Sequence, residues 1–117
     1  MVRPSKRAGR IEQGGIYWHE FPPPDKRRPV LVLTRSGVIP YMDRVTVAPI
    51  TSRLRSLPSE VLLTPGDGLT VTCAVNLDNI QTIFKSQLYE LVVHLSVERM
   101  REVRSAVEFA FGFDLLD

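Results

Sequence analysis

The sequence predicts a small antiparallel α+β domain, five or six strands with one helix packed across them at the C-terminal end. Three observations carry this reading. β-prone runs alternate with turns rich in Pro, Gly and Ser along most of the chain. Val30, Leu31, Val32 and Leu33 form an uninterrupted apolar run, the mark of a strand buried on both faces. The clearest helical period lies near the end, where Val97, Met100, Val103, Val107, Ala110 and Phe111 recur at steps of three and four.

Residues 1–12 carry Arg3, Lys6, Arg7 and Arg10 with Pro4, Ser5 and Gly9 and no apolar period, and read as a mobile basic arm ahead of a single domain over 13–117. Strand one is expected from Gly15 to Phe21, with Ile16, Trp18 and Glu20 on one face and Tyr17, His19 and Phe21 on the other. Pro22, Pro23 and Pro24 stop it. Pro29 fits only near the start of the second strand, which leaves Arg28 at the strand mouth; Lys26, Arg27 and Arg28 read either as an aimed cluster or as a solvated turn.

Ser36, Gly37 and Pro40 mark a turn before a third strand, Arg44 to Thr51. If these two strands form a hairpin with its turn midway between Ser36 and Asp43, partner numbers sum to about 79, and Arg28 falls opposite Thr51. A bulge at Pro49 would shift this by one or two residues. A basic loop with Arg53 and Arg55 leads to a fourth strand, Glu60 to Thr64, closed by Pro65, Gly66, Asp67 and Gly68. The fifth strand is expected over Val71 to Ile80, with Cys73, Val75 and Leu77 inward and Ala74, Asn76 and Asp78 on the other face. A short last strand, Leu91 to Leu95, carries His94; Ser96 then caps the helix, Gly112 stops it, and Glu98, Arg101, Arg104, Ser105 and Glu108 face outward.

With 117 residues, 44% hydrophobic and 24% charged, the composition is that of one ordinary globular domain. No apolar run is long enough for a membrane helix, and no apolar core of a signal peptide follows the N-terminal charges. The single cysteine, Cys73, excludes an internal disulfide, reads as a buried small hydrophobe and suits a cytoplasmic setting. His19 and His94 lie too far from each other in sequence, with too few companions, for a zinc site, and no cofactor is expected. The net charge of +2 hides an asymmetry: up to Ser59 there are eleven Lys and Arg against four Asp and Glu, a net of +7, and beyond it four against nine, a net of −5. A basic half points to a polyanion or an acidic partner.

Gly14 to Tyr17 (GGIY), Arg28 to Leu33 (RPVLVL), Ala48 to Ser52 (APITS) and Val75 to Ile83 (VNLDNIQTI), in that order, make the chain resemble the MazF/PemK family of toxin endoribonucleases. The resemblance implies a small SH3-like antiparallel β-barrel of the CcdB/PemK type, a homodimer, metal-independent cleavage of single-stranded RNA (messenger, transfer or ribosomal), and a MazE-like antitoxin with an acidic flexible tail. It places the catalytic pair on Arg28 and Thr51, with Ser52 as a helper, and the family's Asp-Gln pair on Asp78 and Asn79, followed by Thr82. Some PemK-type members carry an arginine two residues before that aspartate and a histidine in the loop after the first strand; this chain has Asn76 at the first position and His19 within the strand. Asp78 reads equally as a catalytic helper or as the anchor of a turn or arginine.

The reaction so implied is attack of a 2′-hydroxyl on its own phosphate, giving a 2′,3′-cyclic phosphate and a 5′-hydroxyl. A guanidinium with pKa above about 12 suits clamping that phosphate better than removing a proton, and Thr51 suits hydrogen bonding to a non-bridging oxygen. Lys26, Arg27, Arg53 and Arg55 read as backbone contacts, and Asn76, Asn79, Thr82, Trp18 and His19 as further RNA contacts, Trp18 alternatively as core or dimer contact. The competing readings are a non-enzymatic CcdB-like inhibitor of a protein such as gyrase, and an inactive SH3-like binding module. The CcdB branch uses a C-terminal tryptophan, whereas here the only tryptophan is Trp18.

Overall fold

The computed structural model describes residues 6–24 and 27–116. Seven strands and one α-helix follow in order: β1 Gly15–Glu20, β2 Arg27–Val32, β3 Arg44–Thr51, β4 Glu60–Leu63, β5 Cys73–Asn76, β6 Gln81–Phe84, β7 Leu88–His94 and α1 Val97–Ala110. Every strand pair is antiparallel, and the sheet runs β4-β5-β3-β2-β1-β7, with β6 paired to β3 beside β5. The expected barrel of five or six strands is thus a seven-stranded sheet that does not close. Among the described residues no pairing joins β6 to β7, and the 3-10 turn Lys85–Gln87 carries the chain from one to the other.

β2 sits between β1 and β3, and its alternate side chains feed two cores. Leu31 lies in the larger one with Ile16, Ala48, Val75, Leu77 and the helix residues Val103 and Ala106. Val30 and Val32 lie in the smaller one with Tyr17, Val45, Val47, Ile83 and Leu88. All three are fully buried, which is why the run shows no polar alternation. Part of the cover of the smaller core comes from the N-terminal segment: Ala8 and Ile11 pack on it, Ala8 N–H donates to the Leu88 carbonyl at 3.0 Å, Arg7 bridges to Tyr89, and the Arg7 guanidinium donates to the Ser86 carbonyl. The Tyr17 hydroxyl accepts from Glu12 N–H at 3.0 Å and donates to the Arg10 carbonyl at 3.2 Å. Of the expected mobile arm, residues 1–5 lie outside the described residues, and the rest from Arg7 to Glu12 is tied to the sheet.

β3 matches its expected span, but the single fifth strand does not exist. From Ile50↔Val75 to Val47↔Gln81, β3 advances three residues while its partner advances six. Three residues are therefore extruded from the ladder, and Leu77–Asn79 turn as a 3-10 helix between β5 and β6. Asn76 caps that turn by accepting from Asp78 N–H at 3.0 Å, so Asn76 and Asp78 do not share a strand face. The last strand likewise starts three residues earlier than expected, at Leu88.

Ser96 caps α1, its hydroxyl accepting from Arg99 N–H at 3.1 Å, and Gly112 follows the helix at φ +74°. Val103 and Ala106 centre the buried stripe, with Met100, Val107 and Ala110 flanking it. Val97 and Phe111, expected inward, are 61% and 57% exposed because they stand at the two ends of the helix, beyond the sheet it covers. Arg99 ties the first helical turn to the turn after β4: Nε donates to Asp67 Oδ1 at 2.9 Å and Nη2 to Oδ2 at 3.1 Å, while Asp67 also accepts from Thr64 N–H. Gly68 closes that turn at φ +100°, where a Cβ would stand 2.7 Å from a Val93 methyl.

Two outcomes are expected. Leu31→Ala leaves a cavity under the helix and costs about 2–5 kcal/mol, measurable by denaturant unfolding. Arg99 holds the Asp67 carboxyl below its usual value of 3.8, so the pair's contribution is present above that pH and is lost as the pH falls through the lowered pKa. Arg99→Ala therefore destabilises by about 1 kcal/mol at pH 7, and its melting curve converges on wild type toward pH 2.

Candidate active site

β2 and β3 pair as Val30↔Pro49, Leu31↔Ala48 and Val32↔Val47, the unbulged register expected from the hairpin. Continued two residues toward the sheet's end, it brings Arg28 level with Thr51. Both line one cleft of about 470 Å³, together with Ser52, Arg53, Arg55, Asn76, Asn79, Phe21, Pro49, Ile50 and Gln81. Three of these side chains are guanidinium groups and none is a carboxylate, so the cleft is a cationic site.

The loop after β3 orients its own groups. Thr51 Oγ1 accepts from Arg53 N–H at 3.0 Å, which occupies a lone pair and leaves the hydroxyl proton to be donated. Arg55 N–H donates to Glu60 Oε1 at 3.1 Å, fixing the loop to the first residue of β4. Glu60 is paired in register with Asn76, so the carboxylate that holds the loop and the amide that lines the cleft are cross-strand neighbours. The Asn76 carbonyl oxygen is engaged by Asp78 N–H, which leaves its NH₂ end as the unspent donor.

The remaining sequence candidates are distributed elsewhere. Asp78 is not among the residues that line the cleft, and its Oδ2 accepts from Ser59 Oγ at 2.5 Å. His19 and Thr82 line a second cleft of about 720 Å³ with Glu20, Pro22, Pro23, Arg44, Ile83, Phe84, Gln87, Tyr89 and, shared with the first cleft, Phe21 and Gln81. His19 is 4% exposed and meets Phe21 edge to face at 4.6 Å. Burial pushes its pKa below 6.5, against smaller opposing effects from the Gln87 side chain and Glu20, so the ring is neutral at pH 7. Arg27 lies over the Tyr89 ring at 4.4 Å with Nη2 3.3 Å from Glu20 Oε1, and lines neither cleft. Trp18 is half-buried opposite Pro29 and lines neither cleft, and Lys26 falls outside the described residues. His94 pairs with Gly15 at one end of β1 while His19 pairs with Leu88 toward the other. Cys73 is buried in the larger core, where burial raises its thiol pKa.

Sequence reasoning missed Phe21 and Gln81 as site residues. Phe21 carries no polar group to single it out, and Gln81 reaches the cleft only because three residues before it leave the ladder.

A family model described as PemK-like, MazF-like toxin of type II toxin–antitoxin system matches residues 12–111. The probable endoribonuclease MazF5 of Mycobacterium tuberculosis is 39% identical over 99 residues, which cover 84% of this chain and 90% of that protein. The solved Mycobacterium tuberculosis toxin MazF-mt6 superposes with a TM-score of 0.78 at 37% identity, over 84% of this chain and 96% of the other. A MazE-MazF structure from Deinococcus radiodurans gives a TM-score of 0.76 at 25% identity, over 89% and 98%. The chain, with its open antiparallel sheet, C-terminal helix and ordered motifs, belongs to the PemK-like, MazF-like toxins of type II toxin–antitoxin systems.

Proposed function

We propose that this toxin is an endoribonuclease that cuts single-stranded RNA by attack of a 2′-hydroxyl on the adjacent phosphate, halting translation. The observation that carries the reading is the convergence of Arg28 and Thr51 with Arg53 and Arg55 in one cleft whose described lining holds no carboxylate. The endoribonucleases among its relatives support the same reaction class.

In this reading the Arg28 guanidinium clamps the scissile phosphate through two parallel N–H donors, and the Thr51 hydroxyl donates to a non-bridging oxygen. The P–O2′ bond forms as the P–O5′ bond breaks; the 2′-hydroxyl proton passes to water and the departing 5′-oxygen takes one from water, leaving a 2′,3′-cyclic phosphate and a 5′-hydroxyl. The charge that builds on the phosphorane is met by Arg28, with Arg53 and Arg55 on flanking phosphates and Ser52 beside Thr51, so the site works without a metal. Asn76 and Asn79 offer amide groups to the RNA at the floor of the cleft. The toxin acts as a cytoplasmic homodimer, in keeping with the family. The MazE-MazF assembly of Deinococcus radiodurans supports a MazE-like antitoxin as its partner, and an acidic tail complements a cationic cleft.

Purified protein incubated with a long RNA in EDTA is expected to give discrete fragments ending in 2′,3′-cyclic phosphate; an intact RNA overturns the reading. Arg28→Ala is expected to lower kcat by about 10²- to 10³-fold, as loss of one preorganised donor does. Thr51→Val should lose activity while Thr51→Ser retains it, since the hydroxyl is the working group. Binding to a non-cleavable RNA weakens with salt, and removing both Arg53 and Arg55 reduces the slope of log K against log salt by about 0.7 per lost phosphate contact.

A further inference from the structure

The N-terminal arm has no part in the chemistry above and precedes residue 12, where the family match begins. The ladder nevertheless brings it to the end of the sheet that carries Arg28. Arg28 pairs with His19 on β1, and His19 with Leu88 on β7. Beyond β7 the arm continues this row: Arg7 bridges antiparallel to Tyr89, and Ala8 N–H donates to the Leu88 carbonyl at 3.0 Å. Ala8 thus stands three inter-strand steps from Arg28, roughly 14 Å along the sheet. Residues of one row share a face, and Ala8 packs on the smaller core as Leu88 does. Alternation about the bridge sets Lys6, which is exposed, on that same face and Arg7 on the other.

The arm is held in this place at both ends. The Arg7 guanidinium donates to the Ser86 carbonyl and lies 5.6 Å from the centre of the Tyr89 ring, over which Arg27 also stands at 4.4 Å. The Arg10 carbonyl accepts from the Tyr17 hydroxyl at 3.2 Å. The carboxylates of the described arm, β1, β2 and β7 are Glu12, Glu20 and Glu90. Glu12 stands 3.4 Å from Arg10 and Glu20 3.3 Å from Arg27, and Glu90 is exposed on β7.

We propose that the docked arm is a second backbone contact for the RNA: the strand crosses the sheet from Arg28 to the arm, and the Lys6 ammonium takes a phosphate a few nucleotides to one side of the cut. The assignment rests on the nuclease reading above and extends it from the scissile phosphate to a flank. An ammonium is a compact charge with three donors, which holds a phosphate without demanding one geometry of it. The same ammonium on an undocked tail would oppose binding with the entropy of ordering the chain, whereas this arm is ordered on β7 before RNA arrives. Phosphate contacts fix position and carry no sequence, so the arm adds affinity and leaves the choice of cut site unchanged.

The test compares wild type, Lys6→Glu, Lys6→Gln and Lys6→Arg on two single-stranded RNAs that share one cut site, one of about five nucleotides and one of about fifteen. Binding is measured with the 2′-hydroxyl at the cut replaced by hydrogen, cleavage with the natural RNA, and melting curves confirm that each variant is folded. Lys6→Glu is expected to weaken binding of the long RNA by about three- to tenfold and to raise its KM with kcat unchanged, while the short RNA binds as to wild type. Lys6→Gln lowers the slope of log K against log salt by about 0.7 on the long RNA alone, and Lys6→Arg keeps wild-type affinity. A Lys6→Glu variant that binds both RNAs as wild type does, or loses equally on both, overturns the contact while the nuclease reading stands. A wild-type protein that leaves both RNAs uncut overturns the two together.

Discussion

The structure depends on the burial of β2 on both faces. Val30, Leu31 and Val32 are each withdrawn from water, Leu31 toward the helix and the two valines toward the smaller core. A slip of one residue would exchange these sets and drive Pro29 or Leu33 into the wrong core, so the register against β1 and β3 is held by the full cost of repacking two cores. Arg28 sits two residues outside the last buried pair and inherits that register. Its place level with Thr51 follows from the packing of Val30 to Val32.

β3 performs the second organising task. Its first half pairs with β6 and its last two residues pair with β5, on the same edge, and the three residues extruded between them leave the ladder next to Thr51. That irregularity brings Asn76, Asn79 and Gln81 into the lining of the cleft and sets Asp78 against the buried Ser59. The charge asymmetry of the chain then acquires a spatial meaning. The N-terminal half supplies the arginines of the cleft, while the acidic half supplies neutral amides there and spends carboxylates on structure, Asp67 on Arg99 and Asp78 on Ser59.

His19 lines the cleft of about 720 Å³ in neutral form, because a buried imidazole loses its proton more readily than one in water.

Local pattern alone determined a good deal about this protein. The span of β3, the Ser96 cap, the helix and its Gly112 stop, and the hairpin register follow from short-range rules of turn chemistry and periodicity, and the ordered motifs carried the family and the residues of the cleft around Arg28 and Thr51. The tertiary structure decided the rest, for reasons that lie outside any local window. The three-residue extrusion after Asn76 is favoured by pairing with both halves of β3, so an alternating run that reads as one strand becomes two. The segment from Arg7 to Glu12 has no period of its own and is placed by the smaller core it covers and by the Tyr17 hydroxyl. Phe21 and Gln81 enter the site only because separate parts of the sheet converge there, a proximity that no spacing in the sequence records.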